Sequence, residues 1–454
     1  MDAFTKQKEY FASGATMPLE QRLAQLKTLY RAIKTNEDAI LEALHQDLGK
    51  SPEEGYMAEV GLCLEEIRHA ARHLRQWSRP RKVPTPLVQK PGSSWIIREP
   101  RGVCLIIAPW NYPFLLAVSP LISAIAGGNC VALKPSEYAP ATSAVLEKML
   151  GVCFEERFCR VVTGGADTAS AETARPYDLI FFTGSTAVGR KVMAAAAEHL
   201  SPVVLELGGK SPCIVDETAD LTVTANRIIW GKLLCSGQTC VAPDYVLVAR
   251  GRKDALIREM QKAIRRFYGE NPCENPAYPR IVNERHFDRL TAMIPDTLPA
   301  GYGGRSDRET LKIEPTLIET TLDDPDPLMT EEIFGPLLPI VPWDSPDEAL
   351  RHILSRPRPL ALYLFSRNRR FQRRVLETVP FGGGCINDTI SHITTPYLPF
   401  GGTGDSGMGA YHGRWGFETF THAKSVLTKP FRPDLPVRYP PLDGKMNLIR
   451  KLLR

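Results

Sequence analysis

The stretch Val203-Val204-Leu205-Glu206-Leu207-Gly208-Gly209-Lys210 divides the chain into two halves with the same order of elements. Before it, short apolar runs alternate with helical patterns, and the predicted strands span 103–107, 130–133, 160–162, 179–182 and 203–207. The segments between them, 113–126, 140–151, 167–175 and 186–199, are predicted helices. Strands that alternate with helices in this way predict a parallel sheet covered on both faces.

A second alternating set follows that stretch. Its predicted strands span 212–215, 245–249, 316–319, 338–342 and 361–365, again with helices between them. We therefore predict an α/β fold of two doubly wound parallel-sheet domains that meet near 207–212. Because no long flexible linker joins the halves, we expect them to pack together with a cleft between them. Residues 1–78 are helical in pattern, and 93–99 form a predicted strand that projects from the body.

The composition is that of an ordinary soluble protein. Of 454 residues, 43% are hydrophobic and 24% are charged, and the formal net charge is only +5. These values indicate two or three domains and argue against a nucleic-acid-binding surface. The ten cysteines are dispersed without a CxxC pair, and the charged start of the chain does not resemble a signal peptide. We therefore expect free thiols and a cytoplasmic protein.

Two further patterns bear on a membrane span and a metal site. Residues 115–133 carry no charge, but Pro120 and the Gly127-Gly128 pair interrupt them. We predict a buried helix followed by a short strand there, and no membrane span. His69 and His73 lie four residues apart on a predicted helix, yet arginines surround them. We predict a solvated helix face at this pair and no metal site.

A thiol and a carboxylate beside glycines suggest covalent catalysis. Ser236-Gly237-Gln238-Thr239-Cys240 places a thiol after a turn-forming pair, and Glu206 precedes Gly208-Gly209, where backbone can approach closely. A nucleophile and a base are the parts that a covalent mechanism needs. By themselves, these residues fit a small buried cysteine and a structural strand-end glutamate equally well.

Three other turns follow predicted strands. Phe182-Thr183-Gly184-Ser185 opens a helix whose N–H groups suit a pyrophosphate, although neither a Rossmann nor a P-loop glycine spacing is present. Lys134-Pro135-Ser136-Glu137 is suited to sugar hydroxyls, or else forms a charged corner. In Pro109-Trp110-Asn111-Tyr112-Pro113, two prolines fix a turn from which the asparagine amide can donate to an oxyanion, although in isolation it is a structural turn.

In this order the segments resemble the aldehyde dehydrogenase superfamily over about residues 102–425. The resemblance rests on 109–113, 134–137, 182–185, 206–210, 237–240, Glu-Glu-Ile-Phe-Gly-Pro at 331–336 and Pro-Phe-Gly-Gly at 399–402. The short N-terminus, 236–245 and 406–413 are similar to the class 3 branch, which oxidises medium-chain, fatty and aromatic aldehydes. The resemblance implies an aldehyde dehydrogenase-like fold with a small β oligomerisation arm, NAD or NADP as cofactor, and a small-molecule aldehyde as substrate.

The resemblance also implies residue roles. Cys240 attacks the aldehyde, Asn111 and the Cys240 N–H hold the oxyanion, and Glu206 activates the water that hydrolyses the thioester. Cofactor contacts are implied for Lys134, Glu137, Gly184, Ser185, Gly189, Leu207, Glu332 and Phe334. Tunnel contacts are implied for Tyr112, Trp230 and Phe400. The implied domains are a dinucleotide-binding domain of 1–82 and 100–208, a catalytic domain of 209–395, and bridging or oligomerisation segments of 83–99 and 396–454.

Several alternatives stay open in the sequence. Cys235 stands where class 3 relatives often have asparagine, and it is either a packing residue or an oxidative disulfide partner of Cys240. Glu137 disfavours the 2′-phosphate of NADP, yet the branch often accepts both cofactors. Rival functions are an acylating enzyme that uses coenzyme A, a non-catalytic protein of this fold, and a cofactor-free cysteine hydrolase. The 93–99 and 425–435 segments lead us to expect a homodimer, and the basic helix predicted at 445–454 is too short to span a membrane.

Overall fold

The structure is a computed structural model that describes residues 2–298, 302–434 and 436–453. Its α-helices are α1 (Ala3–Ala12), α2 (Leu19–Thr35), α3 (Glu37–Leu48), α4 (Pro52–Gly55), α5 (Gly61–Trp77), α6 (Leu115–Gly127), α7 (Pro140–Cys153), α8 (Ala166–Thr173), α9 (Thr186–Ala197), α10 (Leu221–Leu233), α11 (Lys253–Tyr268), α12 (Glu284–Thr291), α13 (Pro327–Thr330), α14 (Pro346–Leu354), α15 (Arg369–Thr378), α16 (Gly413–Thr419) and α17 (Met446–Leu452).

The strands follow the two halves that the sequence predicts. They are β1 (Arg81–Val83), β2 (Ser93–Pro100), β3 (Val103–Ile107), β4 (Cys130–Lys134), β5 (Cys159–Val161), β6 (Leu179–Thr183), β7 (Val203–Glu206), β8 (Pro212–Val215), β9 (Tyr245–Ala249), β10 (Ser306–Asp307), β11 (Lys312–Ile313), β12 (Thr316–Glu319), β13 (Leu337–Trp343), β14 (Ala361–Phe365), β15 (Gly383–Ile386), β16 (Gly407–Met408) and β17 (Thr421–Thr428).

The first sheet has the strand order β16-β7-β6-β3-β4-β5, and only β16 is antiparallel to its neighbour. Strands β3, β4 and β6 are buried at every residue, as expected for parallel strands covered on both faces. Because the strands run in parallel, Lys134, Thr183 and Glu206 all lie at the carboxyl edge. Ligands of open α/β sheets bind at this edge.

The second sheet is parallel throughout, with the order β12-β13-β9-β8-β14-β15. Helix α10 packs against α11 beside it. A third, separate sheet has the order β1-β2-β17 and is antiparallel. In it, Ser93 to Pro100 pairs with Thr428 to Thr421 over the full length of both strands. The predicted α/β fold with two parallel sheets and a small β arm is thus confirmed.

The structure departs from the predicted elements in several places, and the short strands β1, β10, β11 and β16 were not predicted. Within the region 1–78 that is helical in pattern, a π-helical segment, Tyr56–Val60, separates α4 from α5. Strand β15 was not predicted, because Gly383-Gly384 has low strand propensity. Its glycines allow β15 to pack closely against β14, since a Cβ on Gly384 would lie 2.0 Å from the carbonyl oxygen of Leu362 in β14.

The prediction of a solvated face at the histidine pair is wrong for His69. His69 is only 4% exposed, and its ring lies 4.3 Å from that of His73 and 4.9 Å from that of Tyr397. It is a packing residue because the C-terminal segment returns to cover α5. Across the described ranges, no group of candidate metal-ligating side chains comes together. Across those same ranges, no helix combines the length and the apolar character needed to cross a membrane. Arg454, at the end of the predicted C-terminal helix, lies outside the described residues.

Candidate active site

The predicted nucleophile follows a left-handed turn after α10. Cys235, Ser236 and Gly237 have φ angles of 51°, 54° and 78°. A Cβ on Gly237 would lie 2.2 Å from the carbonyl oxygen of Gly335, so glycine alone fits there. The turn leads to Cys240, which is partly buried and lines a cavity.

The side chain of Gln238 holds this turn in place. Its Nε2 donates to the carbonyl oxygens of Cys235 at 2.9 Å and Arg280 at 3.0 Å. Its Oε1 accepts from the N–H of Val282 at 3.0 Å. These bonds are buried or partly buried, so they fix the backbone that carries the nucleophile.

The environment of the Cys240 thiol disfavours its charged form. The pKa of Cys240 is raised to about 12, chiefly by burial and then by the charges of Glu332 and Glu206. The N–H groups of Cys240 and Val241 hydrogen-bond the sulfur and oppose this rise. The thiol is therefore protonated at neutral pH, and its attack on a carbonyl carbon requires a base.

The side chain of Glu206 is available to act as that base. It ends β7, is only 2% exposed, and neither of its carboxyl oxygens has a hydrogen-bond partner among the described residues. Burial raises its pKa well above the usual value, so it holds a proton more strongly than an exposed carboxyl group does. An unpartnered, buried carboxyl group is costly for stability and is therefore a candidate for a functional role.

The Asn111 side chain reaches the turn that carries Cys240. Asn111 is 3% exposed, and its Nδ2 donates to the carbonyl oxygen of Gln238 at 2.9 Å. An amide nitrogen carries two hydrogens, so the second remains for another acceptor. The structure thus brings together Asn111, Cys240 and Glu206, which are far apart in sequence.

The cavity that contains Cys240 is mainly apolar. Tyr112, Trp230 and Phe400 lie in its wall, together with Leu116, Leu234, Ile390 and Ile393. The hydroxyl of Tyr112 is 2.7 Å from that of Thr239, which ties the wall to the nucleophile loop. Such a cavity suits an apolar aldehyde. Two residues with carboxyl groups, the exposed Glu65 and the buried Glu66, also line the wall. Glu66 had no signal in the sequence beyond its helical spacing.

The predicted cofactor residues lie along the carboxyl edge of the first sheet. Lys134 is 3% exposed and donates to the Oε2 of Glu137 at 2.6 Å. Ser185 is the N-cap of α9, where it accepts from the N–H of Val188 at 3.4 Å. Gly184 precedes this cap, and Gly189 packs on Leu207, whose Cδ2 would be 2.6 Å from an added Cβ.

Glu332 and Phe334 lie on the other side of this edge. The Oε1 of Glu332 is buried and has no hydrogen-bond partner in the described part of the chain, and its Oε2 would be 1.9 Å from a Cβ on Gly208. Phe334 has a φ of 53° and packs edge-to-face on Trp110 at 5.3 Å. Lys210 donates to Asp244 and to the carbonyl of Glu331 at 2.8 and 2.9 Å, which fixes this loop.

These residues fit a nicotinamide dinucleotide. The N-terminus of α9, a 12-residue helix, presents N–H groups that suit a pyrophosphate. Lys134 with Glu137, and Glu332 with its unpartnered oxygen, provide donors and acceptors for ribose hydroxyls. Gly208 leaves the space beside Glu332 that a side chain would fill.

Sequence reasoning missed a charged cluster behind the turn. Lys50 and Glu59 are fully buried, and Glu54 is 8% exposed. Nothing in a single sequence marks a lysine as buried, because its partners come from distant segments. The same cluster contains Cys235, which is fully buried and whose thiol donates to the carbonyl oxygen of Asn111 at 3.2 Å. All ten cysteines are free in the structure.

Comparison with known proteins gives a consistent result. A sequence model described as "Aldehyde dehydrogenase family" matches residues 1–426. The chain is 46% identical to aldehyde dehydrogenase family 3 member H1 of Arabidopsis thaliana, covering 99% of this chain and 94% of that protein. It is 43% identical to the dimeric NADP-preferring aldehyde dehydrogenase of Rattus norvegicus, covering 98% of each.

A solved structure, the substrate-bound state of AldH from Staphylococcus aureus, is similar over the whole fold. It superposes with a TM-score of 0.97 at 46% identity, covering 100% of this chain and 99% of that one. Sequence and fold therefore agree over nearly the full length, and the class 3 resemblance is confirmed by the family 3 relative. The chain belongs to the aldehyde dehydrogenase family, whose members are NAD(P)-dependent enzymes that oxidise aldehydes.

Proposed function

We propose that this enzyme oxidises a medium-chain aliphatic or aromatic aldehyde to the free carboxylic acid through intermediates on Cys240. The observation that carries the proposal is the buried carboxyl group of Glu206, which has two unpartnered oxygens and acts electrostatically on the Cys240 thiol. The mainly apolar cavity at Cys240 supports an apolar substrate. We assign 1–82 and 100–208 to cofactor binding and 209–395 to catalysis.

In the first step, the Cys240 sulfur attacks the aldehyde carbon. Its proton passes to a base, and we assign this role to Glu206, whose buried carboxyl oxygens have no hydrogen-bond partner among the described residues. The carbonyl oxygen becomes an oxyanion, and we assign its stabilisation to the second N–H of the Asn111 amide, whose first N–H donates to the Gln238 carbonyl, and to the Cys240 N–H. The product of this step is a thiohemiacetal.

The cofactor site is the carboxyl edge of the first sheet. Lys134 and Glu137 would hold the adenine ribose, Gly184, Ser185 and Gly189 the pyrophosphate beside Leu207, and Glu332 with Phe334 the nicotinamide end. The nicotinamide, when bound, supplies a hydride acceptor for the thiohemiacetal, which leaves a thioester on Cys240. Glu206 then releases the proton taken from Cys240 to solvent and removes a proton from water. The water oxygen attacks the thioester carbon, and the proton held by Glu206 passes to the departing Cys240 sulfur.

Two variants test this assignment. Cys240→Ala should abolish aldehyde-dependent NAD(P)H formation, because no thiohemiacetal can form. Glu206→Gln should form at most about one equivalent of NAD(P)H, more slowly than the original enzyme, and then stall, because the thiol has lost its proposed base and the thioester is not hydrolysed. Cys153→Ala and Glu198→Gln, which change a partly exposed thiol and an exposed carboxylate, are the matched controls. Steady turnover in either active-site variant would refute the mechanism.

The substrate and cofactor preferences need a direct measurement. Values of kcat/KM for aliphatic aldehydes of increasing length and for aromatic aldehydes, each with NAD and with NADP, would define both. We expect medium-chain and aromatic aldehydes to exceed acetaldehyde, because each additional buried methylene adds about 0.8 kcal/mol of transfer free energy. A preference for acetaldehyde would contradict the proposed substrate class.

We also propose that the enzyme is a cytoplasmic homodimer. Support comes from the projecting sheet β1-β2-β17, in which β17 is exposed at most of its residues and, within the described residues, pairs on one side only. A relative is also named as dimeric. Light scattering at micromolar concentration should give twice the 50.5 kDa mass of the chain, and a monomer would refute the dimer.

A further inference from the structure

A buried ion pair lies behind the proposed oxyanion site. The Nζ of Lys50 is 2.6 Å from the Oε1 of Glu59, and both side chains are 0% exposed. The same Nζ donates to the main-chain carbonyl oxygen of Asn111 at 2.8 Å. It also lies 3.9 Å from the ring centroid of Tyr112. The lysine therefore contacts the two residues at the centre of the Asn111 turn.

The second oxygen of Glu59 holds the other end of that turn. Its Oε2 accepts from the N–H of Phe114 at 2.9 Å and from the N–H of Leu115 at 3.0 Å. Lys50 and Glu59 together thus bind both the carbonyl at residue 111 and the amides where α6 begins. This leaves the main chain of the turn little freedom to shift.

A neighbouring carboxyl group connects the cluster to the nucleophile turn. The Oε1 of Glu54 accepts from the N–H of Cys235 at 2.7 Å, where the backbone is left-handed with a φ of 51°. The Cys235 thiol donates to the carbonyl oxygen of Asn111 at 3.2 Å. Both turns are therefore held by side chains from 50–59, which the proposed chemistry does not use.

The position of these charges argues for a geometric role. Removing a charged pair from water costs several kcal/mol per ion, so a buried pair is no more stabilising than well-packed apolar residues in many proteins. A catalytic donor must nevertheless be held close to its productive geometry, since a small displacement costs much of the rate. The bonds found here satisfy that need at Asn111.

We propose that Lys50, Glu59 and Glu54 are positioning residues that fix the Asn111 amide relative to Cys240. The proposal rests on the proposed function of Asn111 as an oxyanion donor. Lys50 and Glu59 act on the carbonyl and the following amides of the Asn111 turn, and Glu54 acts on the backbone before Cys240. None of the three contacts the substrate in this proposal.

A double-mutant cycle tests the coupling to Asn111. The neutral pair Lys50→Met/Glu59→Gln keeps an oxygen that can accept from Phe114 and Leu115, but removes the bond to the Asn111 carbonyl. We expect kcat/KM for the aldehyde to fall about 10- to 100-fold in the otherwise unchanged enzyme. In an Asn111→Ala background the same pair should cost less than about threefold, because the donor is already absent.

The controls separate positioning from general damage. Lys34 and Glu37 form an exposed ion pair whose charged atoms are 2.5 Å apart. Neutralising this pair should leave kcat/KM for the aldehyde unchanged, both in the otherwise unchanged enzyme and in the Asn111→Ala background. The dissociation constant for NADH should be unchanged in the Lys50 variant, because the hydrogen bonds of Lys50 and Glu59 go to each other and to residues 111, 114 and 115, none of which is proposed to hold the cofactor. Glu54→Leu, compared with Glu54→Gln, repeats the cycle from the Cys235 side if the Lys50 variant does not fold.

The outcomes are distinct. An equal loss in both backgrounds would overturn the positioning role, because the network would then act independently of Asn111. If Asn111→Ala itself left kcat/KM unchanged, the oxyanion assignment in the proposed function would fail instead. A large loss confined to the background that retains Asn111 would support the proposal.

Discussion

The Asn111 side chain donates a 2.9 Å hydrogen bond to the carbonyl oxygen of Gln238, two residues before Cys240. This bond joins the turn after β3 to the turn after α10, so the proposed oxyanion donor and the proposed nucleophile are held as one unit. The first prediction follows from that unit.

Asn111→Ala should lower kcat/KM for the aldehyde by about 10²- to 10³-fold, the usual cost of losing one oxyanion donor. Asn111→Asp should lower it further, because a carboxylate only accepts hydrogen bonds and would face the Gln238 carbonyl oxygen. Steady-state kinetics would check both, with Asn271→Ala at an exposed loop as control. An Asn111→Ala enzyme within threefold of the original would contradict the assignment.

A second prediction concerns the reactivity of Cys240. Glu332 is the main charged group that raises the thiol pKa, and its own pKa is raised to about 8 by burial and by Asp244. At pH 9 it is ionised, so Glu332→Gln should increase the thiolate fraction and speed inactivation by iodoacetamide about threefold or more.

At pH 6.5 the Glu332 carboxyl is mostly protonated, so the ratio of the two inactivation rates should move towards one. Glu331→Gln removes a charge from the neighbouring, exposed position and should change the rate little at either pH. A ratio that does not vary with pH would show that the Glu332 charge does not act on the thiol.

A third prediction uses the space at Gly208. An added Cβ would lie 1.9 Å from the Glu332 Oε2, so Gly208→Ala should displace this carboxyl and weaken NADH binding at least tenfold while the fold is kept. In Gly151→Ala, helix α7 gains a Cβ in open space and should become up to about 1 kcal/mol more stable.

Fluorescence titration with NADH and thermal unfolding would distinguish the effects of the two substitutions. The Gly151→Ala enzyme should bind NADH normally and unfold at a slightly higher temperature. Unchanged NADH affinity in Gly208→Ala would show that Glu332 does not contact the cofactor.

A fourth prediction links Glu66 to stability. Burial raises the pKa of Glu66 to about 7, although the Ser119 hydroxyl and the Gly413 N–H partly oppose the rise. Below pH 4.5 the group is protonated whether the chain is folded or not. As the pH increases above that value the unfolded state ionises first, so stability falls until about pH 7.

Glu66→Gln should remove this loss. Between pH 5 and pH 8, its free energy of unfolding should fall by about 3 kcal/mol less than that of the original enzyme. Denaturant unfolding at the two pH values measures the difference, with the exposed neighbour Glu65→Gln as control. Equal pH dependence in Glu66→Gln and the original would refute the raised pKa.

Much of the fold could be predicted because the signal is local. The runs at 103–107, 212–215 and 361–365 are apolar and bounded by turns, and each forms the strand expected. Strand β15 was missed because its glycines carry no strand signal, and their suitability depends on the close approach of β14.

The candidate site likewise has features that the local sequence predicts and features that depend on tertiary contacts. The sequence alone determined which groups can react, since a thiol at Cys240, a carboxylate at Glu206 and an amide at Asn111 each follow a recognisable turn. It also determined the family, because seven short segments occur in the family's order.

Only the tertiary structure decided how those groups are held and how they titrate. The pKa of Cys240 depends on burial and on Glu332, which is 92 residues away in sequence. The proposed role of the buried pair Lys50 and Glu59 depends on their hydrogen bonds to the Asn111 carbonyl and to the amides where α6 begins, which form only in the folded chain. The physical reason is that desolvation and hydrogen bonding depend on spatial neighbours, which separate segments of the chain supply only after folding.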